Sequence, residues 1–175
     1  MKGIMFNEKY GLESAVLYGS KTRTWREGEN PRYKVGEVVA IKMSYSKVCE
    51  YDMDCLMGHE YALEDGSIRT DVLYSAGWSN KMYVKNELMP HHIRITAVKK
   101  CRLQELTDAE CLTEGIIKEV IRPLYQDLDA YRFCNSNRMY AKPKQAFADL
   151  INKLNGKGYW ESNPDGYAYE FELVD

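Results

Sequence analysis

A chain of 175 residues, 45% hydrophobic and 29% charged, can bury one well-formed core and has the make-up of an ordinary soluble globular protein. Its formal net charge of -2 excludes a surface coated in phosphate-binding residues, and no apolar run reaches the length that spans a bilayer. Met1-Lys2-Gly3-Ile4-Met5-Phe6 passes straight into Asn7-Glu8-Lys9 without the apolar core of a secretory signal, so the expected location is cytoplasmic and no membrane partner is expected.

In chain order, Ile4-Met5-Phe6 reads as a first strand. Asn7 is a good N-cap, Leu12, Ala15 and Val16 recur at helical spacing, and Gly19 supplies the stop. The chain then enters Ser20-Lys21-Thr22-Arg23-Thr24-Trp25-Arg26, where the charge is concentrated. Leu17 to Arg26 holds three bases and no acid, whereas Trp160 to Asp175 holds five acids and no base. Asn30 to Glu37 reads as a turn into the β-branched strand Val38 to Met43. Residues 44–88 mix Cys, Met, Asp, Gly and Tyr, with Glu64-Asp65-Gly66-Ser67 as a hairpin tip. They are expected to form an irregular insertion.

Beyond the insertion, Ile93 to Val98 alternates as a half-exposed strand should. Thr107-Asp108-Ala109-Glu110 is a capping box that opens a helix ending near Glu114. Ile116 to Tyr125 suggests a short helix broken at Pro123. Pro143 suits the first turn of another helix, with Phe147, Leu150, Ile151 and Leu154 as its apolar stripe and Gly156 as its end. Tyr167, Tyr169, Phe171 and Leu173 alternate along a last strand. Strands and helices without a repeating βαβ rhythm point to an α+β fold built on a small barrel.

The five cysteines, odd in number and irregularly spaced, do not form a disulfide framework. Cys49, Cys55 and His59 are the nearest approach to a metal cluster, but there is no CxxC pair and no fourth ligand. His91 and His92 point to opposite faces if they lie on a strand. Neither metal nor cofactor is expected.

The basic stretch is the functional candidate. Lys21, Arg23 and Arg26 can contact phosphates and Trp25 can stack on a base, although a tryptophan in an alternating stretch also suits a core. Lys21 and Thr24 place an amine three residues from a hydroxyl. Strict strand alternation would send them to opposite faces, so their cooperation requires a turn or bulge after Gly19.

Four blocks in order resemble the ASCH domain family. They are Gly19-Ser20-Lys21-Thr22-Arg23-Thr24-Trp25-Arg26; Tyr33-Lys34-Val35-Gly36-Glu37; Arg102 to Glu110 running on to Glu114-Gly115-Ile116; and Trp160 to Pro164 with Tyr169-Glu170-Phe171-Glu172. With Gly77-Trp78 and Met89-Pro90, their spacing is similar to that of the longer, phage-associated branch. The resemblance covers nearly the whole chain. It implies a single domain over 1–175, a PUA-like small β-barrel with flanking helices and an insertion at about 44–88.

The resemblance also implies binding of RNA or a nucleotide in a basic cleft beside the Gly-x-Lys-Thr block, through Arg23, Trp25 and Arg26. One small branch of the family hydrolyses 4-acetylcytidine with a Lys, a Thr and a Glu, which fall on Lys21, Thr24 and Glu114. Two differences stand out: Ser20 replaces the usual Arg, and the insertion has no counterpart in that branch. The partner implied is single-stranded RNA or a modified nucleoside, and the activity an amidohydrolase, with a ribonuclease as the weaker alternative. The competing account makes Lys21 and Glu114 a structural ion pair with Thr24 as its hydrogen-bond partner.

Overall fold

A computed structural model describes residues 1–51, 68–123 and 126–175. The elements in chain order are β1 (Lys2–Ile4), α1 (Leu12–Leu17), β2 (Arg23–Glu27), β3 (Val38–Ile41), α2 (Tyr45–Tyr51), α3 (Thr70–Leu73), β4 (His92–Arg102), α4 (Asp108–Thr113), β5 (Ile116–Ile121), β6 (Leu128–Phe133), α5 (Pro143–Asn155), α6 (Tyr159–Ser162) and β7 (Asp165–Leu173). The class is α+β. Five strands follow the order β1-β3-β4-β7-β2, and β5 pairs with β6 alone. That order has two ends, so no closed barrel forms among the described residues, contrary to the barrel expected from the sequence. None of the described helices is long and apolar enough to cross a membrane.

The chain divides into two compact units. One comprises Met1–Phe6, Val38–Ile93 and Val174–Asp175; the other Asn7–Glu37 and Arg94–Leu173. In the first, β1 runs parallel to β3 with Ile4 opposite Ile41, and the Ile41 amide donates to the His91 carbonyl at 2.8 Å. Val39, Ala40, Ile41, Met43, Tyr45 and Ile93 are all buried here. The described part of the expected irregular insertion is helical: α2, α3 and three 3-10 turns at Ala76–Trp78, Lys81–Tyr83 and Asn86–Leu88. Gly77 is needed because a Cβ there would press on the Tyr45 ring. The hairpin tip at 64–67, and Cys55 and His59, lie outside the described residues.

In the second unit β2 and β7 are antiparallel, with Thr24 opposite Tyr169 and Trp25 opposite Ala168. The stripe on α5 is core: Ala146, Phe147, Leu150 and Ile151 are buried and Pro143 opens the helix. The fourth sequence block acts as a clamp on the third. The Asn163 side chain accepts from the Gln104 amide at 2.8 Å, the Gln104 side chain donates to the Trp160 carbonyl at 2.8 Å, and the Leu103 amide donates to Pro164. Residues 116–121 correct the helix expected there. Ile116, Ile117, Val120 and Ile121 make a strand, since β-branched side chains fit a pleat better than a helix.

Candidate functional site

Lys21 reaches its place through the end of α1. Gly19 sits at φ 73, a conformation that costs a glycine nothing, and its amide donates to the Val16 carbonyl at 3.0 Å. The Ala15 carbonyl then accepts twice, from the Ser20 hydroxyl at 3.1 Å and from the Lys21 amide at 2.9 Å. Serine thus caps the helix where the resembling family carries arginine. The next residue bridges two elements. The Thr22 amide donates to Thr113 at the end of α4, and its carbonyl accepts from Phe171 on β7. β2 starts at Arg23, so Lys21 precedes the strand and is not bound by the alternation that places Thr24.

Glu114 is delivered by the capping box. The Glu110 amide donates to the Thr107 hydroxyl at 3.2 Å, and the Glu110 carboxylate accepts from the Thr107 amide at 2.8 Å. α4 then ends on Glu114 as its C-cap, with Gly115 at φ 99 behind it. A Cβ at Gly115 would meet Leu12 Cδ2 at 3.1 Å and Lys21 Cδ at 3.5 Å, so glycine makes room for the lysine stem.

Lys21 Nζ donates to the Glu114 backbone carbonyl and to Glu114 Oε2, both at 2.7 Å. The side chains are 2% and 4% exposed. A cation here also faces the carbonyl end of α4, where positive charge is favoured. Burial lowers the Lys21 pKa from its ordinary value. The Glu114 charge and hydrogen bond act against that, Arg26 adds to it, and the net direction is downward. Glu114 Oε1 is buried and has no hydrogen-bond partner among the described residues. Thr24 is 4% exposed, and no hydrogen bond of its hydroxyl is seen among the described residues.

Arg26 shares the β2 face of Thr24, being two residues on. Burial lowers its pKa; Glu114, Tyr33 and Tyr169 oppose that, while Arg32 adds to it. The Tyr33 and Tyr169 rings meet edge to face at 5.3 Å, and the Tyr169 hydroxyl accepts from the Arg32 amide at 2.7 Å. Two cations, Lys21 and Arg26, therefore act on one carboxylate in a poorly solvated place.

Arg23 and Trp25 are employed differently from the binding roles expected of them. The Arg23 guanidinium donates to Glu110 Oε1 at 2.6 Å and to Glu170 Oε1, and its side chain is 12% exposed. That clamp joins β2 to α4 and β7 and sets two carboxylates in competition with any phosphate for its terminal nitrogens, while Nε has no hydrogen-bond partner among the described residues. Trp25 is buried, its indole N–H donates to the Cys101 carbonyl at 3.3 Å, and its ring lies so close to Gly166 that a Cβ there would collide with it. Its faces are core faces.

Tyr33 and Tyr169 act on Arg26, and Glu13 on α1 is a further buried carboxylate of the same unit. Glu13 sits between Leu12 and Val16 on the buried side of a short helix, a carboxylate at an apolar phase, and that is the signal by which a sequence can reveal it. No group of three or more His, Cys, Asp or Glu suited to a metal ion occurs among the described residues.

No family model matches the sequence, and no curated protein matches it. Among solved structures, the crystal structure of an ASCH domain from Lactobacillus crispatus JV V101 aligns with 96% of this chain and 75% of that one, at a TM-score of 0.42 and 12% identity. A likeness at that level carries neither fold nor chemistry across.

Proposed function

We propose that Lys21, Thr24 and Glu114 form the site of an amidohydrolase acting on N-acylated pyrimidine nucleosides, with 4-acetylcytidine as the reference substrate. The observation that carries this reading is the divided state of Glu114. One carboxylate oxygen holds Lys21, and the other is buried without a partner. An orphaned buried acceptor costs about 1–3 kcal/mol, more when charged. A purely structural ion pair gains nothing by leaving it so, whereas the N–H of a bound amide would satisfy it.

The chemistry follows from the three groups. Burial favours the neutral amine of Lys21, which can take the proton of Thr24 as its oxygen attacks the acyl carbon. The C–N bond breaks as the leaving nitrogen receives that proton through Glu114, which returns to its ionised state. Water then cleaves the threonine ester, releasing the carboxylic acid and restoring the hydroxyl. The sum is amide plus water to acid plus amine.

Incubation with 4-acetylcytidine, followed by chromatography, is expected to yield cytidine and acetate. Lys21→Met and Thr24→Ala should each lower kcat/KM by about 100-fold or more, the range of a lost general base or nucleophile, with folding checked by circular dichroism. Thr24→Ser should retain turnover. Absence of turnover above buffer overturns the proposal.

A second reading, binding of single-stranded RNA or a nucleotide by the same stretch, is favoured by the excess of Lys21 and Arg26 over Glu114. It loses Arg23 and Trp25 as contacts, for the reasons given above. Salt-dependent affinity for a short RNA, weakened by Arg26→Ala, would support it; affinity indifferent to salt and to that change would not.

A further inference from the structure

A concavity in the larger unit shares no residue with the Lys21 site. It has a volume of about 270 Å³ and lies among Tyr10, the loop after β6, and Asp149 and Lys153 of α5. Its loop is held in shape at several points. The Tyr131 and Tyr140 amides and carbonyls bond each other at 2.9 Å, closing the loop at its base. Asn135 takes the left-handed conformation at φ 61, which asparagine tolerates better than most residues. Its side-chain amide donates to the Lys9 carbonyl at 2.8 Å, tying the loop to the segment that carries Tyr10. The Ser136 hydroxyl accepts from the Arg138 amide and donates to the Arg138 carbonyl, both at 3.2 Å. Few of these bonds bury apolar area, so they serve the shape of the loop rather than the core.

What the loop presents is donors. The Arg138 guanidinium lies 5.0 Å from the centre of the Tyr140 ring, a cation–π contact that uses none of its N–H donors. No carboxylate pairs with it among the described residues. Lys153 stands 3.7 Å from Asp149, an ion pair too long to be a hydrogen bond. The Asn137 amide makes no hydrogen bond among the described residues. Two cations and a free amide thus face a single acid, beside the Tyr10 ring, which Phe133 supports edge-on at 5.5 Å.

We propose that this groove binds a nucleotide through its phosphate, with Arg138, Asn137 and Lys153 taking the phosphate oxygens and Tyr10 forming the wall against which the base or ribose rests. Guanidinium and ammonium donors meet phosphate in charge-assisted bonds, and an aromatic wall suits any base. A free nucleotide and a strand present the same phosphate chemistry to these donors.

The test is a nitrogen-15 NMR titration of the whole chain with cytidine 5′-monophosphate, cytidine, inorganic phosphate and a single-stranded hexanucleotide RNA. The monophosphate is expected to shift the backbone signals of Asn137 and Arg138 and the side-chain amide of Asn137. Cytidine should bind at least about tenfold more weakly, and Arg138→Ala/Lys153→Ala should weaken the monophosphate at least about tenfold. Raising salt should weaken it further. A hexanucleotide tighter than the monophosphate by more than about tenfold assigns the groove to a strand; equal affinity assigns it to the free nucleotide. Lys21→Met separates the two sites, because it should abolish amide hydrolysis and leave these shifts intact. The proposal is overturned if cytidine binds as well as its monophosphate, if the double variant binds like the wild type, if the shifts vanish in Lys21→Met while its spectrum remains that of a folded chain, or if no shifts arise.

Discussion

Lys21 and Glu114 show what a buried pair demands of its neighbours. Removing one partner leaves a charge with almost no water, at a cost of about 3–5 kcal/mol, while replacing both by apolar groups is often far cheaper. Urea denaturation of Lys21→Met, Glu114→Leu and the double variant should therefore show strong non-additivity, the double variant being more stable than the sum of the singles predicts. Simple additivity would mean that the pair is not coupled. The pH dependence has a definite sign. A lysine whose folded pKa lies below its ordinary 10.5 binds fewer protons folded than unfolded, so this group's contribution to stability improves as pH rises from the folded pKa towards 10.5. Turnover that needs the neutral amine should rise along the same limb, and Lys21→Met should remove that limb.

Glu110 gives a slope of the same sign at acid pH, but its shift stabilises the folded state. Partial burial pushes its carboxyl up, but the Thr107 amide, Lys99, Arg23 and the Thr107 hydroxyl outweigh it and bring it down to about 2, from 4.5. Its stabilisation is fully present above pH 4.5 and is lost as pH falls towards 2. About 3 kcal/mol is an upper bound for it. Acid titration of stability should have a smaller slope in that window for Glu110→Gln than for the wild type; an equal slope would exclude Glu110 as a source.

Among the elements, β2 carries the largest departure from what its composition suggests. Two arginines and a tryptophan, with Lys21 just before them, resemble a binding stretch, yet Arg23 is held in the clamp, Lys21 in the ion pair and Trp25 in the core. The deciding partners are Glu110 and Glu170 for Arg23, and Gly166 and Cys101 for Trp25, all more than 70 residues away in sequence. Two substitutions test this packing. Gly115→Ala forces a positive φ on alanine and crowds Leu12 and Lys21, with an expected loss of about 1–3 kcal/mol. Gly166→Ala drives a methyl group into the Trp25 ring and the Arg26 carbonyl, with an expected loss in the same range or above. Thermal melts of both should fall by several degrees. An unchanged melting temperature for Gly166→Ala would mean that Trp25 is not seated as described.

At the scale of the molecule, the strand pairings rank the parts by stability. β5 and β6 form a two-stranded sheet on their own, an arrangement that is marginal unless something packs on it. Val120 is 60% exposed and Leu128 48%, so the outer end of this pair is poorly covered among the described residues. Native-state hydrogen exchange is expected to be faster at Val120 and Ile121 than at Trp25 or Ala168, which lie in the β2–β7 ladder. The reverse order would contradict the ranking.

Much of the local structure was legible in the sequence because its causes are local. The capping box at Thr107–Glu110, the stop at Gly19, the Pro143 start with its stripe on α5, and the burial of Ile93 and Ile95 each follow from a few neighbouring residues. The helix expected at Ile116–Tyr125 failed because the cross-strand partner that makes β5 a strand, Leu128–Phe133, lies beyond a turn and outside any local period. The barrel failed because alternation identifies strands but says nothing of whether the end strands meet. Lys21 and Thr24 stood out in the sequence as an amine and a hydroxyl. That the amine is held at 2.7 Å by Glu114 in a buried place, while one carboxylate oxygen has no partner among the described residues, was decided only when the end of α1 met the end of α4. Charge type is written in the residue, but desolvation and partnership belong to the packed chain.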